Sequence, residues 1–363
     1  MKKKGLLKLI VGVSLVAVLA VAIPLISGCA APGPAPTPTP TPEPTPEATW
    51  HLRGISPQCR SIVERDSIAQ CCDVITKMSG GRVTFDWYAG GELMPSEEEI
   101  PALKAGTIQM LQWYPLMGTV TELRTIECGA PFATKNALEF RSLIYHRGLM
   151  ELFAESYEEQ GLYYIGPSLH DPLETCSRLP AYSLDDMKGQ RIQLLAEHAY
   201  PYTQVGVACM PTPPADVYLA IQTGAMDGFG WSGADEIVMF GMNEVAPYLW
   251  DPPFVDVCNV AYLLNKDVAD SMPEEILEII RVGVLHLDVW NETVRCNGEF
   301  KCRTDGSFKE VCYLPEEDVK VLQGYGMEYL ENDVALRNAR CAEAVRIIKE
   351  FRAEVDEADW YGH

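Results

Sequence analysis

Apolar positions recur along this chain with two different periods. Val83, Phe85 and Trp87 alternate with polar neighbours, as a strand with one buried face requires. Over residues 60–79, Ile62, Ile68, Cys72, Ile75 and Met78 fall near helical spacing, and Gly80-Gly81 supplies the stop. Residues 50–55 and 107–113 predict further strands. Between them, Ser96 with Glu99 reads as a capping box opening a helix that ends at Gly106, with Pro101 early enough to be tolerated. Residues 131–160 predict helix and 161–166 a strand. Strands and helices alternating at this rhythm predict a right-handed α/β unit on a parallel sheet.

From residue 169 to about 255 the alternation starts again. Residues 183–234 predict a strand, a helix, a second strand, a short helix and a third strand in close order. Asp216 is placed to cap the short helix around V-Y-L-A-I-Q, and Thr223-Gly224 to stop it. The remainder is helical. Pro273-Glu274-Glu275 starts a long amphipathic helix reaching about Arg295, and residues 315–354 predict one or two more.

The N-terminus changes the compartment. Lys2, Lys3, Lys4 and Lys8 precede an apolar run from Leu9 to Ile26, which closes on Leu25-Ile26-Ser27-Gly28-Cys29. This predicts a lipoprotein signal over residues 1–28, with Cys29 lipidated as the first mature residue and the body outside the cytoplasm, periplasmic or at the cell surface. Residues 29–48 alternate Pro and Thr and predict a semi-rigid extended tether of roughly 3 Å per residue. The charge, 29 basic against 51 acidic residues, is more negative still once those four lysines are removed. That excludes nucleic acid as a partner, because phosphate neutralisation needs clustered Lys and Arg. Twelve cysteines, Cys29 included, leave an odd number for pairing, with Cys296, Cys302, Cys312 and Cys341 near enough in sequence to pair.

The motif D-x-K-G-x-R-I-x over residues 186–193, then P-T-P, then Q-x-G-x-x-D-G, resembles the signature region of extracytoplasmic solute-binding proteins of TRAP-type (tripartite ATP-independent periplasmic, DctP-like) transporters. M-S-G-G-R-V, A-G-G-E-L and A-L-K-A-G-T-I-Q-M resemble the opening domain of the same family, so the likeness covers most of residues 50–300. It implies a two-domain α/β periplasmic-binding-protein-like fold of class II type, with a ligand cleft between the domains and C-terminal bracing helices. Domain one takes residues 49–168 and about 259–363, and domain two residues 169–258. It also implies a small-molecule ligand, a two-part membrane permease as partner and no catalysis; no cofactor is expected, and no metal. A homodimer is left open.

The likeness breaks at its anchor. Where the family has an arginine that holds a carboxylate by two parallel hydrogen bonds, this chain has Gln193. Where a metal-binding branch has a glutamate before its tryptophan, Gly230 precedes Trp231. An atypical ligand is expected: uncharged, zwitterionic or aromatic, or an acid held through Arg191, which lies on the strand face of Gln193. The other candidates are His170, His198 and Asp235, with Trp113 and Tyr114 from domain one and Trp231 as an aromatic wall. Gly228, Gly230 and Gly233 satisfy G-x-G-x-x-G, but inside a longer match to another family, and Ser232 lacks the last glycine of a nucleophile elbow. Two alternatives remain: a sensory or structural receptor without transport, and a secreted hydrolase.

Overall fold

The computed structural model describes residues 47–66 and 68–358. The signal segment, Cys29 and all of the tether but Glu47 and Ala48 lie outside the described residues. The described chain runs through β1 (Trp50–Ser56), α1 (Arg60–Arg65), α2 (Ile68–Met78), β2 (Val83–Ala89), α3 (Ser96–Lys104), β3 (Met110–Trp113), α4 (Arg124–Glu127), α5 (Ala137–His146), α6 (Leu149–Glu158) and β4 (Leu162–Leu169). It continues through β5 (Leu173–Ser177), α7 (Leu184–Met187), β6 (Arg191–Gln193), α8 (Ala196–Gln204), β7 (Ala208–Met210), α9 (Pro214–Gln222), β8 (Gly228–Gly230), α10 (Ala234–Met239) and β9 (Tyr248–Val255). It closes with β10 (Asn259–Asn265), α11 (Lys266–Asp270), α12 (Glu274–Thr304), β11 (Glu310–Tyr313), α13 (Glu316–Asn332) and α14 (Ala339–Ala358).

These strands make two mixed sheets. The first has the order β2-β1-β3-β10-β4 and the second β11-β9-β5-β8-β6-β7. In the first, β1 runs parallel to β2 and β3, while β10 is antiparallel to both β3 and β4. Every residue of β10 is buried, with Ala261 and Leu263 in one apolar cluster and Val260, Tyr262 and Leu264 in another. A strand apolar on both faces belongs at the centre of a sheet covered on two sides. The first cluster carries α6 and α14 and the second α2 and α12. The helix α13 spans both sheets' cores: Leu322 packs with Trp250 and Tyr202, and Leu330 with the first sheet's cluster.

Several local expectations fail for identifiable reasons. The helix over residues 60–79 is two helices, turning at Asp66, which is fully buried. Ser96 is the first helical residue and not a cap; Pro95 precedes the helix, and Glu99 sits fully buried with its pKa pushed up to about 7. Asp216 lies in the first turn of α9, whose start is set by Pro213-Pro214. The long helix continues past Arg295 to Thr304. Beyond it β11, unforeseen, pairs with β9 of the second sheet, although the chain from about residue 259 was expected to return to the first domain with only bracing helices beyond. The cysteines Cys296, Cys302, Cys312 and Cys341 are all free thiols; Cys302, Cys312 and Cys341 are buried in three separate clusters.

Gly228 shows how tightly the second sheet is built. A Cβ there would meet the Cys176 carbonyl oxygen, and Ile192 and Ser177 atoms at 2.9 Å. Backbone cannot yield as a side-chain tip can. Gly228→Ala is expected to destabilise the protein by about 1–3 kcal/mol in urea unfolding; an unchanged midpoint would show that the β5–β8–β6 packing is slack.

Candidate functional site

A cavity of about 480 Å³ opens where the two sheets face each other. Strand ends and the loops after them supply much of its lining, with residues of α1, α8, α9, α10 and α12. Pro57 and Gln58 follow β1, Tyr114 and Leu116 follow β3, Gln193 ends β6, and Gly230, Trp231 and Ser232 end or follow β8. Parallel strands at those positions place their carboxyl ends together, the usual ligand crevice of open α/β sheets. The volume falls within the range of small-molecule sites.

Two short crossings connect the sheets behind the cavity. His170 N donates to Cys258 O at 2.7 Å, and Cys258 N donates to Asp171 O at 3.0 Å. The β4–β5 and β9–β10 links therefore run side by side as a hydrogen-bonded pair. Cys128 meets Cys258 there, Sγ to Sγ at 3.4 Å, with both thiols on the cavity wall.

The floor is ionic. Arg295 of α12 is 2% exposed and reaches Asp66 at 2.6 Å, Glu236 at 3.0 Å, and Asp171. These acids come from the end of α1, from α10 and from a crossing link, so one guanidinium joins elements of both sheets. Glu236 also accepts from Ser232, which ties the loop after β8 into the cluster. Sharing Asp171 with this cluster, Asp171, Asp235 and Glu299 bring carboxylate oxygens within 4.8 Å of one another. That donor set suits a hard cation, and Asp171 is already engaged by Arg295.

The expected site residues divide. Gln193, Trp231, Tyr114, His170 and His198 all line the cavity. Trp231 is 41% exposed and stands parallel to Phe240, ring centroids 6.0 Å apart, as an aromatic wall. Tyr114 Oη accepts from Gln58 Nε2 at 2.6 Å and lies 3.2 Å from His170 Nδ1. Gln112 Nε2 lies 3.3 Å from His170 Nε2, which carries the network back to β3.

The other three do not reach the cavity. Trp113 is buried in the first core. Arg191 is held by Asp227 through two side-chain hydrogen bonds of 2.9 Å, and by the Gly224 carbonyl. It is not among the residues that line the cavity. The pairing raises the pKa of Arg191 and lowers that of Asp227 despite the desolvation there. Asp235 faces Gly298 of α12 and belongs to the acidic cluster. At Gly230 a Cβ would meet the Leu194 side chain at 2.5 Å and the Phe254 ring at 2.8 Å, so a glutamate there would have to displace both.

The sequence reading missed Gln58, Glu236, Phe240 and Arg295. Arg295 had a signal: Asp288, Asn291, Arg295 and Glu299 continue the buried stripe of α12 at spacings of three and four. His198 was foreseen, but its state was not. Burial in α8 drives its pKa down to about 4, against a smaller upward pull from Glu197 and the Gly129 backbone. Its Nε2 has no hydrogen-bond partner among the described residues.

Comparison with known proteins now fits these features. The family model for bacterial extracellular solute-binding proteins, family 7 (DctP), matches residues 60–294, and the chain belongs to that family. A monocarboxylate 2-oxoacid-binding periplasmic protein of Nostoc sp. is 23% identical over 292 residues, covering 77% of this chain and 78% of the relative. A TRAP periplasmic solute-binding protein of Chromohalobacter salexigens, solved with bound (S)-(+)-2-amino-1-propanol, superposes with a TM-score of 0.74 at 22% identity, covering 85% of this chain and 98% of that one. One from Colwellia psychrerythraea, with bound calcium and pyruvate, gives a TM-score of 0.74 at 15% identity, covering 86% and 96%. The two-domain periplasmic-binding-protein architecture is thus the fold of this chain.

Neutral burial of His198 has a pH signature. Its folded pKa of about 4 lies below the usual histidine value of 6.5, so the unfolded chain binds a proton first as pH falls. The stability from this group is complete above roughly pH 6.5 and drains away as pH drops towards 4, by about 3 kcal/mol. Urea unfolding of the wild type against His198→Asn should show that extra acid loss only in the wild type; parallel pH profiles would contradict the assignment.

Proposed function

We propose that this member of the family is the extracytoplasmic receptor of a TRAP-type secondary transporter. In this reading the chain is a lipoprotein anchored through a lipidated Cys29 after removal of the signal peptide, and residues 29–48 hold the body off the membrane. The two domains, residues 49–168 with most of 259–363 and residues 169–258 with β11, close around a small organic molecule by bending at the paired crossings, and a membrane permease receives it. It performs no catalysis. One observation carries the reading: the cavity gathers strand ends of both sheets directly in front of the hydrogen-bonded crossings.

The solved relatives hold chemically different ligands, an amino alcohol in one and pyruvate with calcium in another. We place this chain away from the metal–oxo-acid mode. Gln193 occupies the anchor position at the cavity with a neutral amide, and the space beside Gly230 is filled by Leu194 and Phe254. Arg191, committed to Asp227, supplies no substitute cation. A sensory receptor without a permease is the second reading; it shares the cavity and differs in its partner.

A ligand that binds only the folded state raises apparent stability by mass action. Differential scanning fluorimetry of the full chain against a panel of small acids, alcohols and amines should reveal at least one stabilising compound. Trp231→Ala is expected to abolish that shift, and Arg191→Ala to keep it. A panel with no stabiliser, or a shift that survives Trp231→Ala combined with Phe240→Ala, would defeat the receptor reading.

A further inference from the structure

Granting that this cavity is the ligand site, its chemistry narrows the ligand class. We infer that His198 is the selecting acceptor: the site takes an uncharged alcohol or polyol whose hydroxyl donates to His198 Nε2, and rejects a carboxylate in that place. The hydroxyl-bearing part is joined to an apolar or aromatic part that lies against Trp231 and Phe240.

Four features converge on this. His198 is 2% exposed, lines the cavity, and leaves Nε2 without a partner among the described residues. A buried polar atom without a partner is costly, and a bound donor removes the cost. The Gly129 backbone pulls the ring towards protonation, and the larger effect of burial keeps it neutral. We assign the proton of the neutral ring to Nδ1, which makes the unpartnered Nε2 the lone-pair nitrogen.

The cationic side of the wall is already neutralised. Arg295, the cation among the described lining residues, is bound to Asp66, Asp171 and Glu236. An incoming carboxylate would meet the field of those acids and gain no unshared cation. Arg295 Nε, however, is an N–H without a partner among the described residues. A hydroxyl oxygen can donate one hydrogen bond and accept another, so an alcohol suits both kinds of group. An ionised carboxylate has no proton to give and sets its lone pairs against that of Nε2.

The remaining surface agrees. Gln193 is 7% exposed and presents an amide that both donates and accepts. Leu116, Leu173, Leu195 and Phe240 make most of the rest apolar. A site built to hydrogen-bond a hydroxyl discriminates strongly against analogues lacking it, because its own buried groups are then left unpaired.

Matched pairs test this by isothermal titration calorimetry on the full chain. The probes are phenyllactate against the phenylpropanediol in which a hydroxymethyl group replaces the carboxylate, and mandelate against phenylethanediol. The diol of each pair should bind at least about tenfold more tightly than its acid. His198→Phe should erase the preference while circular dichroism stays native. On diol addition the nitrogen-15 resonance of His198 Nε2 in the wild type should move towards the hydrogen-bonded position, a readout that a purely structural histidine would not give. Preferential binding of the acids, or a preference unchanged in His198→Phe, would overturn the inference and leave the receptor reading standing. Binding of neither member of either pair would count against both.

Discussion

One buried guanidinium organises this molecule. Arg295 reaches acids carried by the end of α1, by α10 and by the β4–β5 crossing. Removing such a charge from water is expensive, and it persists only where several partners meet it with good geometry. The arrangement requires the two sheets to approach each other at one place. The cavity lies immediately beside that place, with Arg295, Asp171 and Glu236 in its wall. Cleft and clasp are therefore one construction, and the charges that hold the clasp are spent on one another.

The consequence for recognition follows from charge. In a binding site that clamps an acid, an arginine must have charge to spare. Here Arg191 is spent on Asp227 and Arg295 on three carboxylates. Among the described residues, the wall offers a ligand a neutral imidazole, a neutral amide, the Arg295 Nε–H and a pair of parallel aromatic rings. Those groups favour shape, stacking and hydrogen-bond donors over net charge.

Much of the fold was legible because it rests on local periodicity. The strands at 50–56 and 83–89 and the helix 214–222 follow alternation, apolar spacing and glycine stops that any window of the chain displays. Gln193, Trp231, Tyr114, His170 and His198 were found as strand-end residues of a recognised pattern. What stayed hidden depends on distant partners. Asp66 breaks a helix and Glu99 deserts a cap because each is buried by tertiary packing. Arg191 was misjudged because strand parity places it on the right face but says nothing of Asp227. Gly230 looked like a deleted ligand, whereas Leu194 and Phe254 occupy its space. Phe240 and Glu236 lie on and after α10, where no motif points to the cavity.

The claim that Arg295 is the clasp can be tested alone. Equilibrium unfolding of Arg295→Met against the wild type at neutral pH should show a loss of about 3–5 kcal/mol, the usual result of removing one partner from a buried ionic cluster. A midpoint unchanged to within about 0.5 kcal/mol, the scale of a surface substitution, would contradict it.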